Sequence, residues 1–199
     1  RRRVLDFYFP PSPGLIAKTE AHLRRVAPDA RPDFEMFLRQ AHEHGFPIAF
    51  LQSRRYDADQ FALFVKGRAL VGGKWVVVDE RLVVTRVSST AKSAHGCICG
   101  VRHDDADPDD GCAFAIDFCF AIEGKLVGPR PGKGNDSFDD DLPWVEVARL
   151  GIACGFESGC AFGESAPGKL DGWDKGHMQA AGWFEKRAAL VQRRKLVRR

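Results

Sequence analysis

Between Cys112 and Ile122 the chain alternates with a period of two. Phe114, Ile116, Phe118 and Phe120 are large and apolar; Ala113 and Ala115 between them are small, and Asp117 stands where another small residue is due. Successive side chains of a strand point to opposite faces, so this run predicts a strand with one bulky, buried face. The small positions leave shallow space around Asp117 on the other face. A carboxylate buried by itself is costly, so Asp117 needs a cation. Arg55 or Arg86 can supply one as a salt bridge; a metal ion is the alternative.

Two histidines lie in glycine-rich segments that suit the second reading, Ser93-Ala94-His95-Gly96 and Gly172-Trp173-Asp174-Lys175-Gly176-His177. Two histidines and one carboxylate are the ligand count of a hydrolytic zinc site, which leaves its fourth position to water. A separate carboxylate must take a proton from that water, and Asp174 sits three positions before His177. His95, Asp117 and His177 are therefore the candidate zinc ligands and Asp174 the candidate general base. His22, His42, His44 and His103 are read as structural; His42 and His44 flank a helix end, where a cation suits the dipole.

These residues resemble the zinc peptidases of bacterial cell wall, the family of D-alanyl-D-alanine carboxypeptidases and dipeptidases and of phage endolysins that cleave L-alanyl-D-glutamate bonds. Ser-x-His, a later small-residue strand ending in Asp, and Trp-Asp-x-x-His carry the likeness. Ser53-Arg54-Arg55 with Gln60, Leu63 and Gly67-Arg68 looks like the family's Tyr-Arg-Ser…Gln…Leu…Gly-Arg segment, and Trp144, Leu150-Gly151, Gly155-Phe156-Glu157 and Gly159 look like its stretch before the last ligand. The likeness runs from Asp33 to Phe184. It implies one zinc ion per chain and peptidoglycan stem peptides as substrate. By position it makes Arg55 the arginine that holds a scissile carbonyl or peptide carboxylate, with Arg54 competing for that role. Ser93, Glu157 and Trp173 are implied as groups that orient the site or touch substrate. The Trp-Asp-x-x-His ending is closer to endolysins than the Glu-x-x-His of the dipeptidases, so endolysin-type L-Ala-D-Glu endopeptidase comes first and D-Ala-D-Ala carboxypeptidase second. The chain departs from the pattern in two places. The family's Ser-x-His-x-x-Gly-x-Ala-x-Asp is opened here, His95 and Asp117 standing 22 positions apart around an acidic insertion at 104–110; and Gly176 and Met178 flank the last histidine in place of Pro and Phe.

Other readings fit some of the letters. His103-x-Asp105 with His177 and Arg187 imitates the iron triad and co-substrate arginine of 2-oxoglutarate oxygenases. That fold needs a jelly roll, whereas residues 143–155 and 183–197 read as helices. A catalytically inactive, peptidase-like wall-binding module is the third reading. The run from Asp105 to Gly111 imitates a calcium loop but carries Asp110 and Ile116 where an EF-hand needs Gly and Glu, so a solvated acidic loop is expected.

At 199 residues, 44% hydrophobic and 29% charged, the chain has enough apolar material for one soluble domain with extensions. No run of about 18 apolar residues is present, so no membrane span is expected. Arg1-Arg2-Arg3 is followed by no apolar stretch of signal-peptide length. The expected location is the cytoplasm until release, or the cell wall if the true N-terminus lies upstream. The six cysteines lack zinc-knuckle spacing, and Cys112 and Cys119 on the apolar strand are expected as buried thiols. Net charge is +3, but seven cations, including Arg193 to Arg199, crowd the last fourteen residues with no acid among them. Such a tail suits anionic wall polymers; with few aromatics interleaved it gives no reason to expect nucleic acid. A monomer is expected.

The local patterns predict an α+β fold: a small, mainly antiparallel sheet, helices packed to one side, and the zinc site at the open face. Residues 1–31 read as a Pro/Arg-rich extension with a short helix at 15–26, 32–184 as the peptidase domain, and 185–199 as a basic helix or tail. Asp33 is expected to cap a helix ending at Gly45, and Pro47–Leu51 to form a strand. Asp57 and Gln60 make a capping-box-like start to a helix that buries Phe61, Phe64 and Val65. Trp75–Val78 and Leu82–Val84 read as a hairpin, Pro143 opens a helix closing at Gly155, and Phe184, Ala188 and Val191 mark a last amphipathic helix.

Overall fold

The alternating run forms the central strand of the sheet. In the computed structural model, which describes residues 12–83, 88–89, 92–96, 111–128, 142–163, 165–172 and 174–197, it is β4 (Ala115–Ile122). Strands β1 (Ile48–Gln52), β5 (Lys125–Val127) and β7 (His177–Ala180) pair with β4, and β6 (Phe156–Ser158) pairs with β7, every pairing antiparallel. A separate hairpin joins β2 (Arg68–Val71) and β3 (Lys74–Val77). Five helices lie among the described residues: α1 (Pro13–Arg24), α2 (Arg31–Glu43), α3 (Asp57–Phe64), α4 (Trp144–Ala153) and α5 (Trp183–Val197). The α+β class expected from the sequence is the one found.

The bulky face of β4 builds the core. Phe114, Ile116, Phe118 and Phe120 are buried under Phe34 and Phe37 of α2 and Trp144 and Val147 of α4. The Trp144 ring meets Phe120 edge-on at 4.8 Å and Phe118 at 5.7 Å, and Phe37 meets Phe118 edge-on at 6.0 Å. Cutting one such ring to alanine costs about 3–5 kcal/mol. On the opposite face Ala49, Cys119 and Ala121 form a smaller cluster with Leu15 and Leu51.

Residues 12–30, read above as part of an extension, belong to the body. Leu23, Val26, Ala27 and Ala30 join the core, Ala27 N–H donates to the Ala113 carbonyl at 2.8 Å, and the Thr19 hydroxyl accepts from Phe50 N–H at 3.3 Å. Ser12 caps α1 just ahead of Pro13. Helix α2 starts at Arg31 with Pro32 in its first turn, so Asp33 sits inside the helix and Ala30 takes the cap position without a side-chain bond.

Three local expectations are corrected. Helix α3 has Tyr56 at its cap position with no side-chain bond, and its buried residue is Gln60, not Phe61. Gln60 turns inward because it accepts from the Arg55 guanidinium, which leaves Phe61 exposed against Trp75, ring centroids 5.8 Å apart. The hairpin turns earlier than expected, at Gly72-Gly73, whose φ of 55° and 77° meet the demand of a two-residue turn for left-handed backbone; Glu80–Leu82 is a short 3-10 turn instead. Along α5 the buried side chains are Arg187 and Leu190, while Phe184 and Ala188 are exposed. The Arg187 guanidinium stacks on Trp183 at 4.5 Å and donates to the Ser93 carbonyl at 2.8 Å, so a cation occupies the face expected to be apolar.

Cys112, Cys119, Cys154 and Cys160 are free thiols. Residues 1–11, Val84, Arg86, Cys97, Cys99, His103, Asp105, the acidic insertion at 104–110, the acidic run at 136–141, Trp173, Arg198 and Arg199 lie outside the described residues. No helix among the described residues is long and apolar enough to cross a membrane.

Candidate metal centre

Sheet register brings the candidate ligands together. Asp117 on β4 stands directly opposite His177 on β7, so their side chains leave the same face. On the other side of β4 the pairing of β1 slips: Phe50 faces Phe118, but Gln52 faces Asp117. This irregularity turns Gln52 off the core face that Phe50 shares and onto the face of Asp117. His95 arrives from a loop strapped to the sheet. Arg55 N–H donates to the His95 carbonyl at 2.9 Å, Phe114 N–H to the Ala94 carbonyl at 2.8 Å, and the Ser93 carbonyl accepts both Gly96 N–H and Arg187.

The three donors converge. His95 Nε2 lies 3.1 Å from Asp117 Oδ1 and 3.2 Å from His177 Nδ1, and His177 Nδ1 lies 3.0 Å from the same Oδ1. Donors held at 2.0–2.1 Å on a tetrahedral zinc stand about 3.3 Å apart, so this triangle is the right size for one face of such a site. Each ring's outer nitrogen is committed to an oxygen. His95 Nδ1–H donates to the Ser53 carbonyl at 2.5 Å, and His177 Nε2–H donates to Gln179 Oε1 at 3.1 Å. In the neutral tautomers so fixed, both inner nitrogens turn lone pairs toward the carboxylate oxygen. Three acceptors facing one another need a cation between them, and the donor set fits a divalent metal.

Without an ion, a proton takes that place. Burial opposes charge on His177, but the Asp117 hydrogen bond, the charges of Asp174 and Asp117 and the Gln179 hydrogen bond outweigh it and push the imidazole up to about 9. His95 is shifted down, chiefly by burial, with the His177 and Arg55 charges adding to it. Burial alone would raise Asp117, yet the two histidines hold its carboxyl well below the usual range.

Asp174 comes beside the triangle, Oδ2 at 3.9 Å from His177 Nδ1. Burial, reinforced by the Asp117 charge, pushes its carboxyl up to about 6 against the pull of His177 and Arg55. Its loop is seated by Gly159, where any Cβ would stand 1.9 Å from the Asp174 carbonyl oxygen, a contact no other residue permits. The Asp117 and Asp174 side chains keep 29% and 31% of their surface exposed, whereas the histidines keep 3% and 8%, so solvent reaches the site from the carboxylate side.

Arg55, expected to hold substrate, spends its donors inside the protein. Its guanidinium binds Gln60 Oε1 at 2.8 Å, Gln52 Oε1, and Asp117 Oδ2 at 3.3 Å, and its Nε is buried without a partner. The salt bridge of Asp117 therefore takes Oδ2, while Oδ1 faces the two histidines, so that bridge is compatible with the metal reading. Arg54 is half-buried, its guanidinium 5.2 Å from the Tyr56 ring centroid. Ser93 contributes through its backbone. Glu157 is exposed and reaches the site only through Gln179, whose amide N–H₂ donates to Glu157 Oε2 at 2.5 Å. Arg187, the arginine of the oxygenase reading, packs on Trp183 as described. Among the described residues, His95, Asp117 and His177 are the group able to hold a metal ion.

Gln52, Gln60, Gln179 and Ser53 were not read from the sequence as site residues. Gln179 carried one signal, its two-residue spacing from His177 on a strand, which puts both on one face. No protein-family model matches the chain, and no curated protein matches it.

Proposed function

We propose that this protein is a zinc-dependent peptidase acting on peptide bonds of peptidoglycan stem peptides. The observation that carries the metal reading is the triangle of His95 Nε2, Asp117 Oδ1 and His177 Nδ1, sized for one face of a metal site, with the other nitrogen of each ring bonded to a protein oxygen. Hydrolysis, rather than a purely structural site, is supported by the solvent-open carboxylate side and by Asp174 poised beside it. Zinc, when bound, supplies a Lewis acid that polarises a carbonyl and acidifies water. Asp174 then accepts a proton at Oδ2 and returns it to the leaving amine, the work of a general base followed by a general acid. Arg55 holds Asp117 Oδ2, which leaves Oδ1 for the metal. The wall substrate rests on the resemblance of Ser93-x-His95, Asp117 and Trp173-Asp174-x-x-His177 to the cell-wall zinc peptidases. On the same ground L-Ala-D-Glu endopeptidase is favoured over D-Ala-D-Ala carboxypeptidase. Mass spectrometry of purified muropeptides after incubation with the zinc-loaded protein tests both. Cleavage between L-Ala and D-Glu is expected, loss of a terminal D-Ala marks the carboxypeptidase, and intact muropeptides overturn the proposal.

A further inference from the structure

The sheet carries a second polar rung beside the ligand rung. Gln179 follows His177 by two positions on β7 and stands directly opposite Glu157 on β6, so all three side chains leave one face. The chain of bonds runs His177 Nε2–H to Gln179 Oε1 at 3.1 Å, then Gln179 N–H₂ to Glu157 Oε2 at 2.5 Å. A carboxylate only accepts, so Glu157 dictates which end of the amide it meets and thereby turns the amide oxygen toward His177. An amide oxygen can only accept from Nε2, which keeps the hydrogen on Nε2 and the lone pair on Nδ1. Were the amide reversed, its N–H₂ would face Nε2 and favour the opposite tautomer, with hydrogen on the nitrogen that looks into the triangle.

We propose that Gln179, oriented by Glu157, is a positioning residue that selects Nδ1 of His177 as the metal-facing atom and so sets the affinity of the site for its cation. The proposal rests on the reading that His95, Asp117 and His177 hold a metal. Gln179 is not one of the three converging donors; it acts through the His177 ring. Partners of this kind are worth about 10- to 100-fold in metal affinity.

The test is zinc affinity of the full-length, metal-stripped protein by competition with a chromophoric chelator. Gln179→Leu should weaken zinc binding by about 10- to 100-fold, while the unfolding midpoint of the metal-free protein stays close to wild type. The exchanged pair Gln179→Glu with Glu157→Gln keeps an acceptor facing Nε2–H and a donor facing that acceptor, and should return affinity to within a few-fold of wild type. Exposed Glu157→Ala, which leaves the core untouched, should show a smaller loss in the same direction should Gln179→Leu fold poorly. Wild-type affinity in Gln179→Leu or in Glu157→Ala overturns the proposal, as does an exchanged pair no better than Gln179→Leu. A wild-type protein that binds no divalent zinc refutes the metal reading instead, and that result is distinct because it appears before any variant is made.

Discussion

Replacing Asp174 by asparagine separates chemistry from architecture at this site. The side chain keeps its size but can no longer accept a proton. What seats the loop is backbone: the Asp174 carbonyl accepts His177 N–H at 3.0 Å and presses on Gly159, and neither contact involves the carboxylate. With 31% of its side chain exposed and no ligand atom supplied to the triangle, the substitution should leave fold and metal in place. A positioned general base contributes about 10²- to 10⁴-fold, or about 3–5 kcal/mol of barrier, so turnover of a soluble muropeptide should fall by at least two orders of magnitude. The assay pairs chromatographic product formation at saturating substrate with zinc content of the same preparation. Zinc lost along with activity would make Asp174 a ligand, and activity within a few-fold of wild type would make it a bystander.

Three further outcomes follow from the same geometry. Because the ion-free His177 is pushed up to about 9, it carries a proton at neutral pH that zinc must displace; affinity should therefore climb about tenfold per pH unit between pH 6 and 8, and a flat dependence refutes the assignment of that proton. Burial pushes the Cys119 thiol up to about 12 and raises Cys160 as well, so peptide mapping after alkylation at pH 8 should find both unmodified in the native protein and modified in urea; rapid native labelling contradicts their burial. In the basic helix, Arg193 binds Asp29 and Arg194 donates to the Gly111 carbonyl, whereas Lys186 and Lys195 are exposed. Reversing the charge of these two lysines should slow hydrolysis of whole sacculi at low salt and spare a small muropeptide; equal loss on both substrates would tie them to the fold instead.

The three residues of the candidate centre were legible in the sequence because each announces itself locally. Asp117 interrupts a strict alternation, and His95 and His177 sit among glycines with a second acid nearby. The groups that hold them were not legible, since each depends on where the chain goes next. Gln52 reaches the site only through the slip in β1 pairing, one residue beyond the strand expected at Pro47–Leu51. Gln60 is buried in place of Phe61 because Arg55, whose position depends on long-range packing, needs an acceptor. Arg187 defeated the amphipathic reading of α5 for a similar reason: its stem and guanidinium cover Trp183 while its charge is met by the Ser93 carbonyl. The hairpin was misplaced although its turn was visible as Gly72-Gly73, because four consecutive residues from Trp75 to Val78 read as a strand start rather than its second half.

The central claim is that His95, Asp117 and His177 jointly hold one zinc ion. Elemental analysis of the purified protein and of His95→Ala, Asp117→Ala and His177→Ala tests it directly. The expected result is near-stoichiometric zinc in the wild type and loss of it in all three variants, with Arg54→Ala retaining it. Absence of metal from the wild type after zinc reconstitution, iron in its place, or zinc retained by His95→Ala but lost by His103→Ala would contradict the assignment.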